Sequence, residues 1–171
     1  MMESQSPERE KRGGMYLTFK LAGEEYGLEI LKVREIIGLI DITHVPGSAE
    51  YIRGVINLRG KVIPVVDLRN KFGMATAVDT DQTCIIVTEI TIADSNVMIG
   101  IAVDAVSEVL DIKDKVIEDP PRFGGDLDTR FILGMARIRD QIKILLDIDM
   151  VLNTFEEDKM PKVEDETGVL N

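Results

Sequence analysis

Residues 52–73 read Ile52-Arg53-Gly54-Val55-Ile56-Asn57-Leu58-Arg59-Gly60-Lys61-Val62-Ile63-Pro64-Val65-Val66-Asp67-Leu68-Arg69-Asn70-Lys71-Phe72-Gly73. An apolar run, Val55 to Leu58, meets a turn at Arg59-Gly60, and a β-branched run, Val62 to Val66, follows. Two apolar runs around a Gly-containing turn signal a β-hairpin, because Gly60 takes positive φ without a steric penalty. Pro64 has no backbone donor, so the second strand is expected to have a free edge or a bulge there. Asp67 then caps a short helix, Leu68 to Phe72, with Gly73 as its stop.

The hairpin occurs twice. Ile132 to Ile148 lies over the first copy without gaps, placing Gly54 on Gly134, Arg59 on Arg139 and Asp67 on Asp147. Upstream, Tyr26-Gly27-Leu28 falls on Ile99-Gly100-Ile101, Val33 on Val106, Glu35 on Glu108 and Ile36 on Val109. Chance matches apolar residues easily; it does not align Gly, Arg and Asp at one spacing. The chain therefore reads as an internal duplication, with extra residues in the second copy around Pro120 to Thr129.

At 171 residues the length fits one domain, which the duplication resolves into two small subdomains. A chain of this size buries roughly 70% of its unfolded surface and needs no disulfide or metal to hold a core. Cys84 is the single cysteine, inside the apolar run Cys84-Ile85-Ile86-Val87, and reads as a small buried hydrophobe in a reducing compartment. The net charge of −11 and the lack of a basic block argue against nucleic acid and against anionic membranes as partners. Apolar runs are strand-sized, far short of the roughly 20 residues that span a bilayer. Residues 1–14 are polar and charged, so they read as a disordered tail and not as a signal peptide. The chain reads as cytoplasmic.

In order, Met15 to Leu21 and Tyr26 to Ile30 are expected as strands around Ala22-Gly23-Glu24-Glu25. Ile30, Val33 and Ile36-Ile37 then recur at three to four residues, which suggests a short helical turn. Ile40 to Val45 is extended ahead of Pro46, and Ser48 caps one turn. Residues 75–82 form a polar linker. Thr83 to Thr91 and Asn96 to Val103 make another hairpin, and strand character runs on towards Leu110. Lys113 to Asp128 is irregular, Ile148 to Phe155 a short helix, and residues 156–171 a flexible acidic tail. Short strands between turn signals argue for β-barrels, and the repeat argues for two.

Catalytic equipment is sparse. His44 is the one histidine, and no third group at a recognisable spacing orients a His44–Ser48 pair. No His/Cys cluster suggests a metal, and no glycine-rich phosphate loop a nucleotide, so no cofactor is expected. The best enzymatic alternative is a paired-barrel hydrolase in which Asp67 and Asp147 share a proton as an acid dyad. Neither is followed by the Thr/Ser-Gly that holds such an Asp, and two duplicated helix caps explain both better. Glu35, set among apolar residues, is expected to have a partner, and Arg59 at the hairpin turn is the candidate.

Residues 26–36, Tyr-Gly-Leu-Glu-Ile-Leu-Lys-Val-Arg-Glu-Ile, resemble the first signature of the CheW family of bacterial chemotaxis coupling proteins. Residues 52–68 resemble its second. The resemblance runs from about Met15 to Phe155. It implies an all-β domain over residues 15–155, with two intertwined, five-stranded SH3-like β-barrel subdomains and short connecting helices. It also implies a non-catalytic adaptor, recruited to membrane-bound receptor arrays, that couples the cytoplasmic tip of methyl-accepting chemoreceptors to the regulatory domain of the histidine kinase CheA. By motif, Val33, Glu35 and Ile36 fall where that family contacts receptor, Arg59 where it supports that surface, and Gly54 near a kinase-facing surface. His44 departs from the residue expected beside Val45-Pro46, and the second half matches less closely.

Overall fold

The computed structural model describes residues 11–121 and 129–157. In chain order these form β1 (Gly14–Leu21), β2 (Glu24–Glu29), a 3-10 turn (Ile30–Lys32), β3 (Val33–Gly38), β4 (Ile52–Leu58), β5 (Lys61–Asp67) and the short α1 (Leu68–Lys71). The second copy contributes β6 (Cys84–Ile92), β7 (Ser95–Val103), β8 (Ala105–Ile112), a 3-10 turn (Asp114–Val116), β9 (Ile117–Glu118), a 3-10 turn (Thr129–Phe131), β10 (Ile132–Ile138), β11 (Gln141–Leu146) and α2 (Ile148–Glu157). Ala22-Gly23, Arg59-Gly60, Ala93-Asp94 and Arg139-Asp140 link the four hairpins, and all eight residues have positive φ. That is the two-residue turn whose twist matches the flanking strands.

The copies exchange hairpins. One sheet runs β8-β1-β2-β11-β10-β9, and the other β3-β6-β7-β5-β4. Each therefore takes one hairpin from the opposite half of the chain. The joints are parallel and equivalent: Val65 sits opposite Gly100, as Leu145 sits opposite Gly27. Each barrel thus mixes the two halves, so neither half of the sequence is a barrel by itself. The first sheet also has six strands where five were expected. The extra one is the two-residue β9, matched in the other sheet by a single bridge, Thr43 to Val55.

Side-chain alternation sorts three cores. On β6, Ile85 and Val87 point into one barrel with Ile56, Ile63 and Val65, while Ile86, Ile90 and Ile92 point the other way. The second barrel closes on Tyr16, Ile112, Ile117, Ala136 and Leu145. Between the barrels lies the largest cluster, including Phe19, Tyr26, Leu28, Ile101, Leu146, Val151 and Leu152. The exchanged strands β1, β2, β6 and β7 are buried on both faces over their central residues, which is why β6 and β7 carry the continuous apolar runs Cys84 to Val87 and Val97 to Val103.

Several expectations on local structure hold. Pro64 lies one residue before the β5–β7 ladder begins at Val65, so its missing donor costs nothing. The Asp67 carboxylate accepts from the Arg69 and Asn70 amides, and α1 ends on amide bonds from Gly73 to Asn70 and from Met74 to Arg69. Gly14, expected in the N-terminal tail, opens β1, and the Arg12 amide is hydrogen-bonded to Asp114 of the second barrel. Residues 1–10, most of the 120–129 insertion and the end of the acidic tail (158–171) lie outside the described residues.

Candidate functional site

β3 is an edge strand, and the expected helical turn shrinks to Ile30–Lys32 ahead of it. The three-residue apolar spacing has another cause. Val33 pairs with Thr88 but Glu35 with Val87, so Arg34 is an extra residue bulging out of the ladder. Ile36 then pairs with Ile86, and cross-strand partners share a face. The bulge therefore puts Val33 and Ile36 on the same side, which a regular strand forbids to residues three apart. Val33 packs on the inter-barrel core, whereas Ile36 keeps 44% of its surface exposed. Leu31, in the turn leading into β3, is 90% exposed. It escaped notice in the sequence because the three-to-four residue spacing was carried by Ile30, Val33 and Ile36, with Leu31 off that stripe.

The same bulge turns Glu35 to the other face. There the Arg59 guanidinium donates to both carboxylate oxygens, through Nη2 to Oε1 and through Nη1 to Oε2 at 3.2 Å. β3 and β4 are opposite edges of one sheet, so this fork clasps the barrel shut at its rim. Hydrogen bonding from Arg59 holds the Glu35 carboxyl below its usual range. The pair expected from sequence is formed.

Both devices are duplicated. Val106 pairs with Phe19 and Glu108 with Thr18, leaving Ser107 as the bulge. Arg139 Nη1 lies 4.0 Å from the Glu108 carboxylate, and Val109 is 46% exposed, as its counterpart Ile36 is. The bulge before each glycine is duplicated too, with register shifts between Ile52 and Gly54 and between Ile132 and Gly134.

Gly54 is buried, with φ at +145°, and a Cβ there would stand 2.1 Å from the Thr43 carbonyl oxygen. Residues 42–43 cross directly over it, tied by bonds of 2.8 and 2.9 Å between Thr43 and Val55. Its role is to admit that crossing.

The remaining candidates settle as structural. Asp67 and Asp147 each cap the helix that follows, Asp147 by accepting from the Met150 amide at 3.1 Å. Ser48 donates to the Val45 carbonyl, and His44 is exposed. Burial pushes the Cys84 thiol up, away from thiolate chemistry. Among the described residues no group of three His, Cys, Asp or Glu side chains is placed to hold a metal, and no helix is long and apolar enough to cross a membrane.

Residues 15–156 match the family model described as the CheW-like domain. The chain belongs to the CheW-like family. It is 36% identical over 144 residues to the chemotaxis protein CheW of Klebsiella aerogenes, covering 84% of each chain. Identity to the Bacillus subtilis chemotaxis protein CheW is 33% over 144 residues, covering 84% of this chain and 89% of the relative. The crystal structure of the scaffolding protein TtCheW from Thermoanaerobacter tengcongensis superposes with a TM-score of 0.71 at 37% identity, covering 81% of this chain and 92% of that one. The family is one of chemotaxis scaffolds and not of enzymes, which removes the acid-dyad alternative.

Proposed function

We propose that this CheW-like protein couples the cytoplasmic helical tip of a chemoreceptor to the histidine kinase CheA, at membrane-bound receptor arrays. The observation that carries the reading is the β3 bulge, which presents Ile36 beside the half-buried Val33 on an open sheet edge while Arg59 fixes Glu35. An exposed apolar strip beside a rigid ion pair suits the apolar face of a helix, with the charges setting register. Kinase binding belongs to the barrel ends. Because Gly54 is buried, its contribution there is to hold residues 42–43, which form the surface above it.

The test separates the two surfaces. Ile36 is 44% exposed, so desolvating that part contributes up to about 0.7–1.3 kcal/mol, and Ile36→Ser weakens binding to a receptor cytoplasmic fragment by about three- to tenfold. Val33→Ser weakens it less, since part of Val33 is already covered by the core. Both variants keep their affinity for the CheA regulatory domain. Folded variants that lose CheA and keep receptor would show the surfaces to be assigned the wrong way round.

A further inference from the structure

We propose that Arg12 is a positioning residue: a strap from outside the duplicated unit that holds β9 against β10 and so shapes the end of the second barrel. In the first barrel the chain crossing over Gly54 is tied by a single bridge, Thr43 to Val55. The second crossing differs. A Cβ on Gly134 would meet Ile117 Cγ2 at 2.5 Å, Arg12 Nη1 at 3.1 Å and the Glu118 carbonyl oxygen at 3.1 Å. A guanidinium therefore shares the space beside the second bulge.

Its bonds join elements that otherwise touch little. Arg12 Nη1 donates to the carbonyl of Leu133, the bulge residue of β10, at 3.0 Å, and to Asp119 Oδ1 at 2.8 Å. Nη2 donates to the Ile117 carbonyl in β9 at 3.3 Å. The backbone is fixed as well: the Arg12 amide donates to Asp114 Oδ1 at 2.7 Å, and its carbonyl accepts from the Tyr16 hydroxyl at 2.7 Å. Gly13 lets the strap lie close, since a Cβ there would stand 2.6 Å from the Asp114 amide nitrogen. The guanidinium is largely buried, and its Nε is enclosed with no partner among the described residues. Enclosing an unpaired donor is unfavourable, so the other bonds of the fork must offset it.

β9 is short, pairing with β10 at two positions, Met135 to Glu118 and Ala136 to Ile117. Arg12 adds ties to both strands and fixes where Asp119 leaves the sheet. This end is the duplicate of the surface above Gly54, so the inference that it docks kinase rests on the proposed function.

The experiment measures amide hydrogen exchange in the full chain for Arg12→Ala and Arg12→Lys. Amides of residues 117–118 and 135–136 should exchange on the order of tenfold faster in Arg12→Ala, while those of the β4–β5 hairpin keep their rates. Arg12→Lys, a point charge without the fork, should fall between. Faster exchange spread over both barrels, or none at all, would overturn the strap. Affinities give the second reading: several-fold weaker CheA binding by Arg12→Ala, with receptor binding unchanged, supports the docking role, and unchanged CheA binding overturns it. Wild-type protein that binds no CheA would defeat the proposed function while leaving the exchange result to judge the strap.

Discussion

At the scale of single residues, the glycines and the ion pairs divide the work. Gly54 and Gly60 both have positive φ, but only Gly54 has a backbone oxygen where a Cβ would go. Gly54→Ala should therefore cost at least about 1–3 kcal/mol from backbone strain alone, with the clash added. Gly60→Asn, in open space and in a conformation Asn tolerates, should cost only a few tenths. Denaturant titration of the two variants checks the contrast. The Glu35–Arg59 clasp makes a pH prediction of definite sign. Arg59 lowers the carboxyl's affinity for protons, so the pair's contribution is present above the ordinary glutamate range and is lost only as pH falls through the depressed value. Arg59→Ala should raise the Glu35 midpoint in an NMR titration. A midpoint that stays where it was would mean the fork does not persist in solution. The need of Glu35 for a partner was legible in the sequence. So was Arg59 as the candidate; what the sequence did not record is that two opposite sheet edges meet to bring the pair together.

At the scale of elements, the duplication exposes what is particular to each barrel. Lys143 is buried at the β11–β2 joint, where its Nζ lies 3.2 Å from Glu25 Oε1, and Ser107 donates to the other oxygen of Glu25. The equivalent positions in the other barrel are Ile63, in its apolar interior, and Met98, half-buried against it. Lys143→Ile alone strands the Glu25 charge and should cost about 3–5 kcal/mol, while Lys143→Ile with Glu25→Met should recover most of it. A double variant as unstable as the single one would refute the equivalence. The hairpins, the helix caps and the duplicated glycines could all be read from local sequence, because turn chemistry and alternation act over a few residues. The β3 bulge could not. An apolar spacing of three residues is shared by a helix and a bulged strand, and only the pairing partner distinguishes them.

At the scale of the molecule, hairpin exchange is the feature that the repeat concealed. A duplicated sequence suggests two self-sufficient halves, yet β1–β2 sit in the sheet of β8 to β11, and β6–β7 in that of β3 to β5. Which copy completes which sheet depends on long-range pairing that no local pattern records. The consequence is testable. Fragments of residues 11–82 and 83–157 should each be largely unfolded by circular dichroism, and mixing them should restore the β spectrum. Independent folding of either fragment would contradict the exchange. Interlocking also ties the β3 edge to the barrel ends through the shared inter-barrel core, which suits the coupling role proposed above.

The most direct measurement of the coupling claim is CheA autophosphorylation in a mixture with a receptor cytoplasmic fragment, with and without this protein. Receptor control of the kinase should appear only when the protein is present, and should fall with Ile36→Ser at limiting receptor concentration although that variant still binds CheA. Receptor control that is the same without the protein, or that survives Ile36→Ser undiminished, would contradict the account.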